Sequence, residues 1–404
     1  MNTLVLRSAG ELSPAVEALR NGGLVAVPTE TVYGLDCNGL DALAVERLYE
    51  AKGRPETKPL SLMVAGREAM ALYCEDVPPA AYTLAEKYWP GPLTIVLKSR
   101  ENVPKIVRAG GETVGLRCPD HPLTLALLRK SGLPLAGPSA NPSGLPSPKS
   151  AKAVLEYFDG KIDAVLDGGE CAVGTESTVL DMAHIPYRAL RIGALSMEEI
   201  AETLRDAMTV VGITGGSGCG KTTLLKLLAE RGGLILDCDA IYHALTRECE
   251  PMRSALRERF GDIFTAEGEL DRPALAAIVF SDEAALSELN AITHRFVSEE
   301  IERRLREYAL SGGTLAAIDA IALFESGLAE KCELTVAVTA QEDARLARIM
   351  ARDGISRERA KERLRAQKPQ EFFTERADRC IANDGTEAEF EERGRRFLDE
   401  LLNP

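Results

Sequence analysis

One stretch of the sequence has the residue spacing that a phosphate-binding loop requires. Residues 215–222 read GGSGCGKT, which matches the pattern G-x-x-x-x-G-K-[ST]. The preceding run TVVGIT is rich in β-branched residues and predicts a strand, whereas the following run KTTLLKLLAERGG predicts a helix. Glycines let backbone N–H groups turn toward phosphate oxygens, and the helix N-terminus adds positive potential. The second half of the chain is therefore predicted to bind a nucleoside triphosphate.

The residues of this loop have separate predicted roles. Lys221 is expected to contact the β and γ phosphates of ATP, and Thr222 is expected to bind Mg²⁺. The other loop residues are expected to contribute mainly backbone N–H groups. They are Gly215, Gly216, Ser217, Gly218, Cys219, Gly220 and Thr223. Kinases, GTPases and motor ATPases share such a loop, so residues beyond it must identify the reaction.

Two aspartates stand at the end of the next predicted strand, in the run LILDCD at 234–239. A carboxylate at this place would face the phosphate loop across the active site. It could accept the proton of an acceptor hydroxyl during phosphoryl transfer, so Asp239 is predicted to be the catalytic base. Asp239 could also cap the helix that is predicted to start near Ala240, and the two roles are compatible.

A second group of polar residues occurs in the first half of the chain. Residues 28–34 read PTETVYG, and Lys52, Arg54 and Lys58 follow within AKGRPETKPL. Three cations beside glycines and prolines could gather a polyphosphate. The alternative is that they form an ordinary solvated surface, and their spacing alone leaves both interpretations open.

The composition of the whole chain argues against several classes of protein. Its 404 residues exceed what one core usually holds, and a formal net charge of -14 argues against a general basic surface for nucleic acid. Nine cysteines without a C-x-x-C pair and only four histidines favour reduced thiols, a cytoplasmic location and no structural zinc. Neither a signal peptide nor a membrane-spanning apolar run is expected.

Apolar runs and helical periodicity predict an α/β domain at residues 1–208. Strands are predicted at 24–27, 60–64, 94–97 and 113–118, and helices at 41–51, 122–130 and 196–208. This alternation favours a twisted, mixed sheet with helices. A new strand begins at Thr209 without a flexible linker before it, which predicts a second domain at 209–404.

The second domain is predicted to contain a parallel sheet. Apolar runs at 234–237, 315–319 and 334–338 are typical of buried parallel strands, and long helical stretches separate them. Charged stretches of mixed sign at 253–259, 299–307 and 345–365 predict exposed helix faces or a mobile lid. The predicted fold is therefore a P-loop NTPase sheet with helical substrate and lid regions.

Further motifs in this half resemble those of the dephospho-coenzyme A kinase family. After GITGGSGCGKT and DCD come LDRPAL at 270–275, LNAITH at 289–294, DAIALFESG at 319–327, RDGIS at 352–356 and ADRCIANDG at 377–385. The resemblance covers virtually the whole domain. It implies transfer of the ATP γ-phosphate to the ribose 3'-hydroxyl of dephospho-coenzyme A.

The same resemblance implies several residue roles. Asp239 and His294 would contact the acceptor, Arg352 would be a lid arginine that neutralises the transferring phosphoryl group, and Asn383 would lie at the adenine end of ATP. His294 could instead be a packed structural residue. The chain departs from the family at Arg295, where proline is usual, and at 321–323, where Pro-Leu-Leu is usual and this chain has Ile321-Ala322-Leu323.

Motifs of the first half resemble the YrdC-type threonylcarbamoyl-AMP synthase family. Besides PTETVYG they are KYWPGPLTIVL at 87–97, TVGLRCPDHP at 113–122, GPSANPSG at 137–144, GTESTVLD at 174–181 and RALRIG at 188–193. The resemblance spans nearly all of residues 10–200. It implies that L-threonine, bicarbonate and ATP condense to threonylcarbamoyl-AMP and pyrophosphate, which supplies a tRNA modification beside the anticodon.

This resemblance also implies a set of site residues. The family's signature polar set corresponds to Lys52, Arg54, Ser139 and Asn141, of which the two cations would be catalytic. Further contacts to ATP or threonine would come from Lys58, Arg117, Ser177 and Arg191, and Thr31 and Tyr33 would line the threonine pocket. Alternatively, Ser139 and Asn141 could merely stabilise a proline-rich turn, and Arg191 could be a surface residue.

The resemblance to the two families also implies cofactors and partners. Mg²⁺ is expected with ATP at both sites, and the synthase product would pass to a tRNA-modifying transferase complex, with weak RNA binding a further expectation. A competing interpretation is an RNA-binding module fused to a P-loop kinase for another nucleoside or small-molecule acceptor. The net acidity of the first half argues against it.

Overall fold

The computed structural model describes residues 2–266 and 268–402. Within them the chain forms two compact units. The chain up to Asp206 together with Leu310–Gly312 forms the first, and Ala207–Ala309 together with the chain from Gly313 forms the second. Within these residues, none of the helices has both the length and the apolar character that crossing a bilayer requires.

The first unit contains a ten-stranded mixed sheet. Its strands are β1 (Leu4–Leu6), β2 (Val25–Val27), β3 (Gly34–Asn38), β4 (Ser61–Met63), β5 (Leu93–Lys98), β6 (Thr113–Arg117), β7 (Leu135–Gly137), β8 (Ala164–Leu166), β9 (Thr178–Asp181) and β10 (Arg188–Arg191). Their order across the sheet is β1-β8-β2-β3-β7-β4-β6-β5-β9-β10. The sheet contains both parallel pairs, such as β4 and β6, and antiparallel pairs, such as β5 and β6, so the mixed sheet is confirmed.

Seven helices accompany this sheet. They are α1 (Ser13–Arg20), α2 (Ala42–Lys52), α3 (Ala69–Tyr73), α4 (Pro79–Tyr88), α5 (Pro122–Ser131), α6 (Ala151–Phe158) and α7 (Met197–Asp206). The carboxylate of Asp41 accepts hydrogen bonds from the first N–H groups of α2, which begins the helix. Gly53 ends it with a left-handed φ of 57°. These two caps fix the positions of Lys52 and Arg54 at the end of α2.

The second unit contains a five-stranded sheet in which every paired strand is parallel. The strands are β11 (Thr209–Thr214), β12 (Leu234–Asp237), β13 (Leu315–Asp319), β14 (Leu334–Thr339) and β15 (Arg379–Ala382), in the order β12-β13-β11-β14-β15. The predicted parallel sheet is therefore confirmed. Because β12, β13 and β11 are neighbours, their carboxyl ends meet beside the glycine-rich loop.

Helices cover this sheet and extend beyond it. They are α8 (Lys221–Glu230), α9 (Cys238–Glu248), α10 (Glu250–Phe260), α11 (Arg272–Val279), α12 (Glu283–Leu310), α13 (Glu342–Asp353), α14 (Arg357–Arg365), α15 (Gln370–Thr374) and α16 (Glu387–Leu402). Apolar residues of α8 and α16 pack on the strands, whereas α10, α11 and α12 share a separate small core. The charged stretch at 345–365 forms two helices, because Gly354 ends α13 in a left-handed conformation.

Candidate active sites

A cavity of about 360 Å³ in the first unit collects most of the predicted synthase residues. Seven strands that are consecutive in the sheet order, from β3 to β10, contribute to its wall. Its polar lining consists of Thr29, Thr31, Arg54, Ser61, Thr94, Thr113, Arg117, Ser139, Glu176, Ser177 and Arg191. Three arginines and many hydroxyl groups in one recess suit an anionic ligand such as a nucleotide.

Arg117 is held in the wall of this cavity by three hydrogen bonds. Its Nη2 donates to Glu30 Oε1 at 2.6 Å and to Thr31 Oγ1 at 2.8 Å, and its Nε donates to the Gly91 carbonyl oxygen at 3.2 Å. Glu30 Oε2 accepts from the backbone N–H of Asp120 at 2.9 Å. Both side chains are buried. The sequence analysis missed Glu30, although it lies inside the PTETVYG motif.

Arg117→Ala is expected to destabilise the first unit, because it leaves the Glu30 carboxylate buried and without its charge partner. The loss should be about 3–5 kcal/mol, whereas Arg117→Lys should lose less because it keeps the charge. This loss of stability is measured by thermal unfolding of the full chain, monitored with a probe that reports on the first unit. Equal midpoints for the parent chain and Arg117→Ala would contradict the described ion pair.

Lys52 lies behind the cavity wall and ties two segments together. Its Nζ donates short hydrogen bonds to the carbonyl oxygens of Ser139 and Asn141. Burial, together with the neighbouring Arg54 charge, lowers the pKa of Lys52 to about 8. Ser139 lines the cavity, whereas Lys52 and Asn141 are buried next to it. The structure thus brings the four signature residues together around one turn.

Arg54 has donor capacity that the described residues do not use. Its Nη2 donates to the Pro59 carbonyl oxygen at 3.2 Å, but its buried Nε has no hydrogen-bond partner among residues 2–266 and 268–402. Buried donors are normally satisfied in folded proteins. Because Arg54 also lines the cavity, an anionic ligand is the natural partner for this group.

Ser177 and Arg191 form a connected group on the opposite wall. The hydroxyl of Ser177 lies 2.9 Å from the hydroxyl of Thr94 and accepts from Arg191 Nη2 at 3.1 Å. Arg191 also donates to the Ser177 carbonyl oxygen and forms an ion pair with Glu176. Arg191 is exposed, as the alternative of a surface residue supposed, but its contacts hold its guanidinium in the cavity lining.

Besides Lys52 and Asn141, two further predicted residues lie outside the lining of this cavity. Tyr33 is fully buried and its hydroxyl donates to the Gly169 carbonyl oxygen at 2.8 Å, and burial raises its pKa to about 12. Lys58 is exposed on the segment that follows α2. Tyr33 lies outside the lining because successive side chains of this extended segment point to opposite sides. The flanking Val32 and Gly34 line the cavity, whereas Tyr33 faces the loop at Gly168 and Gly169.

In the second unit, the glycine-rich loop connects β11 to α8 as predicted. Lys221 Nζ donates to the Gly215 carbonyl oxygen at 3.1 Å and lies 3.9 Å from Asp319 Oδ1. Gly220 has a φ of 103°, and an added side chain there would collide with Asn383. Thr222 is exposed at the start of α8. The loop thus presents its lysine beside a carboxylate from the neighbouring strand.

Asp319 is a site residue that the sequence analysis did not single out. It ends β13, which pairs directly with the phosphate-loop strand β11. Burial raises the pKa of Asp319 to about 6; Lys221 opposes this shift, and Asp237 and Asp239 add to it. Its position at the end of the LAAID strand was the signal that could have identified it.

The helix after β12 is capped by Asp237. The Asp237 carboxylate accepts a hydrogen bond from the Ala240 N–H at 3.0 Å, so the capping role considered for Asp239 is wrong. Asp239 lies in the first turn of α9, two residues after the cap, and lines a cavity of about 220 Å³ together with His294. The structure therefore brings the predicted base and the predicted acceptor contact together.

The lining of this acceptor cavity contains both polar and apolar side chains. It consists of Cys238, Asp239, Tyr242, Thr293, His294, Val297, Ala320, Ile321, Ala322, Ser326 and Leu328. Burial lowers the pKa of His294, and the nearby Glu325 opposes that shift. Of the departures from the family pattern, Ile321 and Ala322 line the cavity, whereas Arg295 is exposed on α12 and outside this lining.

Two arginines of α13 contact the phosphate loop instead of Arg352. Arg345 Nε donates to the Ser217 carbonyl oxygen at 3.0 Å, and Arg348 Nη1 donates to the Gly218 carbonyl oxygen at 3.1 Å. Arg352 lies one turn further along, where its guanidinium is paired with Asp353 at 2.8 and 3.0 Å. Spacing of three residues places Arg345 and Arg348 on one helix face, which the sequence analysis did not use.

Asn383 and Gln367 complete the surroundings of the loop. Asn383 is buried; its Nδ2 donates to the Cys219 carbonyl oxygen at 2.9 Å, and its Oδ1 accepts from Arg348 at 3.1 Å. The Ser217 N–H donates to Gln367 Oε1 at 2.9 Å. Asn383 thus contacts the loop backbone, and its place at the adenine end of ATP stays a prediction.

Comparisons with known proteins separate along the same two halves. A Sua5/YciO/YrdC family model described as "Telomere recombination" matches residues 17–193, and a model described as "Dephospho-CoA kinase" matches residues 209–389. The first half is 46% identical over 199 residues to a threonylcarbamoyl-AMP synthase of Pyrococcus abyssi, which covers 49% of this chain and 58% of that protein.

Two further relatives match over almost their whole length. A proposed threonylcarbamoyl-AMP synthase of Mycobacterium tuberculosis is 36% identical over 207 residues, covering 51% of this chain and 94% of that protein. A dephospho-CoA kinase of Corynebacterium efficiens is 36% identical over 196 residues, covering 48% of this chain and 98% of that protein.

The chain spans little more than half the length of three other synthases, 52% to 58%. Both resemblances predicted from the motifs are confirmed by these matches. The chain belongs to the threonylcarbamoyl-AMP synthase family through its first half and to the dephospho-CoA kinase family through its second half.

Proposed function

We propose that the chain carries two ATP-consuming activities, one in each unit. The first unit forms threonylcarbamoyl-AMP and pyrophosphate from L-threonine, bicarbonate and ATP. The second phosphorylates the ribose 3'-hydroxyl of dephospho-coenzyme A. The observation that carries the proposal is that each unit holds its own anion site, an arginine-lined cavity in one and a phosphate loop with Lys221 in the other.

In the synthase cavity, the residues act by holding anions together. A carbamate oxygen derived from threonine and bicarbonate attacks the α phosphorus of ATP, and pyrophosphate leaves. The negative charge that accumulates requires fixed positive groups, which Arg54, Arg117 and Arg191 supply. The hydroxyls of Thr31 and Ser177, beside these arginines, offer further contacts to ATP or threonine.

The kinase site combines a cavity for the acceptor, lined by Asp239, with the phosphate loop that carries Lys221. Asp239 lines the acceptor cavity and is placed to take the proton of the attacking hydroxyl. Lys221 holds the β and γ phosphates, and Arg345 and Arg348 are lid cations that already contact the loop. We assign the charge-neutralising role proposed for Arg352 to these two residues.

The residues around Thr222 fit a magnesium ion. Mg²⁺ prefers oxygen ligands, which the hydroxyl of Thr222, the residue after Lys221, and the carboxylate of Asp319, 3.9 Å from Lys221 Nζ, would supply. Within residues 2–266 and 268–402, no group of three or more His, Cys, Asp or Glu side chains could hold a metal by itself. When bound with ATP, the ion would neutralise charge on the phosphates.

The pH dependence of the synthase reaction is expected to report the charge of Lys52. With a pKa of about 8, Lys52 should lose its charge and the synthase its activity as pH rises above 8. In the unfolded chain the pKa of this lysine is near 10.5, so between pH 8 and 10.5 the deprotonation of Lys52 favours the folded state. The loss of synthase activity is therefore not explained by unfolding caused by Lys52. Lys52→Arg should move the alkaline limb of pyrophosphate formation upward, and an unchanged limb would refute the assignment.

The synthase proposal extends to location and partners. The nine free thiols support a reducing compartment such as the cytoplasm. A reactive acyl adenylate must be passed on quickly, which supports delivery to a tRNA-modifying transferase complex. Threonine- and bicarbonate-dependent pyrophosphate release tests the synthase, and dephospho-coenzyme A-dependent ADP release tests the kinase. RNA affinity that falls steeply with salt, without pyrophosphate release, would favour an RNA-binding module instead.

A further inference from the structure

Asp36 is a buried carboxyl group whose presence the proposed reactions do not explain. It lies on β3 and is fully buried, and neither carboxyl oxygen has a hydrogen-bond partner among residues 2–266 and 268–402. Burying an unpaired carboxylate is costly, and such a group usually takes up a proton instead. A buried polar group without partners therefore calls for a physical explanation.

The position of Asp36 places it directly behind the wall of the synthase cavity. Gly34 and Gly137 line that cavity, and a methyl group added to either glycine would collide with a carboxyl oxygen of Asp36. The carboxyl thus fills the space that these two residues leave free by lacking side chains. Asp36 is therefore adjacent to two residues of the cavity lining.

The charges around Asp36 belong to the same site. Lys52 from α2 and Arg117 from β6 favour its ionised form, whereas burial, the larger effect, keeps its pKa well above the ordinary value. The neighbouring strands β2 and β7 carry no titratable side chains. The helix α1 also packs against β3, but its charged residues Glu17 and Arg20 are exposed.

We propose that Asp36 binds a proton when anionic ligands fill the synthase cavity, and thereby couples the affinity for ATP to pH. In the empty cavity, burial favours the protonated carboxyl, but Lys52 and Arg117 keep a fraction of it ionised. The polyphosphate of ATP brings several negative charges into the cavity next to Asp36 and opposes that ionisation. Neutral Asp36 leaves the two cations to the ligand, whereas ionised Asp36 competes for them. Asp36 is a positioning residue, because it does not touch the ligand.

This proposal rests on the proposed function, in which the first unit binds ATP. It predicts that ATP affinity falls as pH rises, because binding takes up a proton. An uptake of about 0.5 proton per ATP over two pH units corresponds to roughly a tenfold loss of affinity. Asp36→Asn has nearly the same shape but cannot titrate, so its affinity should change less with pH.

The test is isothermal titration of ATP with Mg²⁺ into the full chain at pH 7, in two buffers of different ionisation enthalpy. Lys221→Ala is present throughout to remove the kinase nucleotide site. The chain with Asp36 should take up roughly 0.3 to 0.8 proton per ATP, and Asp36→Asn about 0.1. Lys52, with a pKa of about 8, is already about nine-tenths protonated at pH 7 and adds little.

The matched control is Asp163→Asn, the same chemical change in the same unit but away from the cavity lining. Asp163 accepts a hydrogen bond from the Leu24 N–H at 2.8 Å, which asparagine can retain. Proton uptake should remain in this control. Equal uptake in Asp36→Asn and in the chain with Asp36 would overturn the proposal.

Two other outcomes are also decisive. If Asp36→Asn does not fold, the chain with Asp36 and the Asp163→Asn control decide, because uptake of about 0.1 proton or less in both overturns the proposal. Uptake above that value in both supports it. If ATP does not bind in the Lys221→Ala background, the proposed synthase site itself fails. That result differs from binding without proton uptake, which refutes only the role of Asp36.

Discussion

Lys221→Ala is expected to remove ADP formation with dephospho-coenzyme A while leaving pyrophosphate formation with threonine and bicarbonate unchanged. The loss should be about 100- to 1,000-fold, because Lys221 is the fixed positive charge of the phosphate loop and stands beside Asp319. The synthase should be unaffected because its cavity is lined by residues of the first unit alone. Product-resolved assays of ADP and pyrophosphate on the full chain measure both activities.

Lys226→Ala is the matched control for this variant. Lys226 lies on the same helix, α8, but is exposed, so its removal changes the net charge equally without touching the phosphate loop. Kinase activity in Lys226→Ala should stay within about twofold of the parent chain, as is usual for a surface substitution. If both variants lose ADP formation alike, Lys221 has no special role in phosphoryl transfer.

Arg54→Ala is expected to produce the opposite pattern, a loss of pyrophosphate formation of about 100-fold with ADP formation intact. Arg54 lines the synthase cavity, and its buried Nε has no hydrogen-bond partner among the described residues. This N–H group can therefore donate a hydrogen bond to the phosphates of ATP. Within the described residues Arg54 donates a hydrogen bond to the Pro59 carbonyl oxygen, on the exposed segment after α2. Substitution should therefore cost catalysis more than stability, which a thermal unfolding midpoint close to that of the parent chain would show.

Arg67→Ala serves as the control in the same unit. Arg67 forms an exposed ion pair with Glu86 at 2.9 Å, and surface pairs contribute between zero and about 1 kcal/mol. Its removal should leave both products unchanged. Retention of threonine-dependent pyrophosphate release in Arg54→Ala would mean that this arginine does not bind the reacting phosphates.

Strands with long apolar or β-branched runs could be predicted from the sequence. The runs at 209–214, 234–237 and 315–319 became β11, β12 and β13 with the same bounds. The prediction did not include β3, GLDCN, because aspartate and asparagine are rare in strands. Tertiary pairing with β2 and β7 holds β3 in the sheet despite its composition.

Site residues inside local motifs were easier to predict than residues that reach the site through the fold. The motifs placed Arg54, Ser139 and Ser177, which share one cavity. Arg345 and Arg348 contact the phosphate loop from more than 120 residues away in sequence, and only the docking of α13 shows this. Helices with charges of both signs are usually solvated, so the composition of α13 predicted an exposed helix face or a mobile lid and did not indicate which arginines contact the loop.

The sequence also did not show which charged side chains are paired and which are not. Glu30 is adjacent to predicted residues, but its ion pair with Arg117 depends on β6 lying beside the PTETVYG segment. Asp36 stands in an ordinary-looking run, and its lack of partners follows from complete burial next to two glycines. Such features depend on three-dimensional burial, which a single sequence does not encode locally.

The most direct test of the central claim is to resolve the products of ATP consumption by the purified chain with each substrate added separately. Threonine with bicarbonate should yield pyrophosphate without ADP, and dephospho-coenzyme A should yield ADP without pyrophosphate. Addition of both should give the sum of the two rates, because the proposed nucleotide site of each unit is its own. Absence of pyrophosphate with threonine and bicarbonate, or of ADP with dephospho-coenzyme A, would contradict the claim that one chain carries both activities.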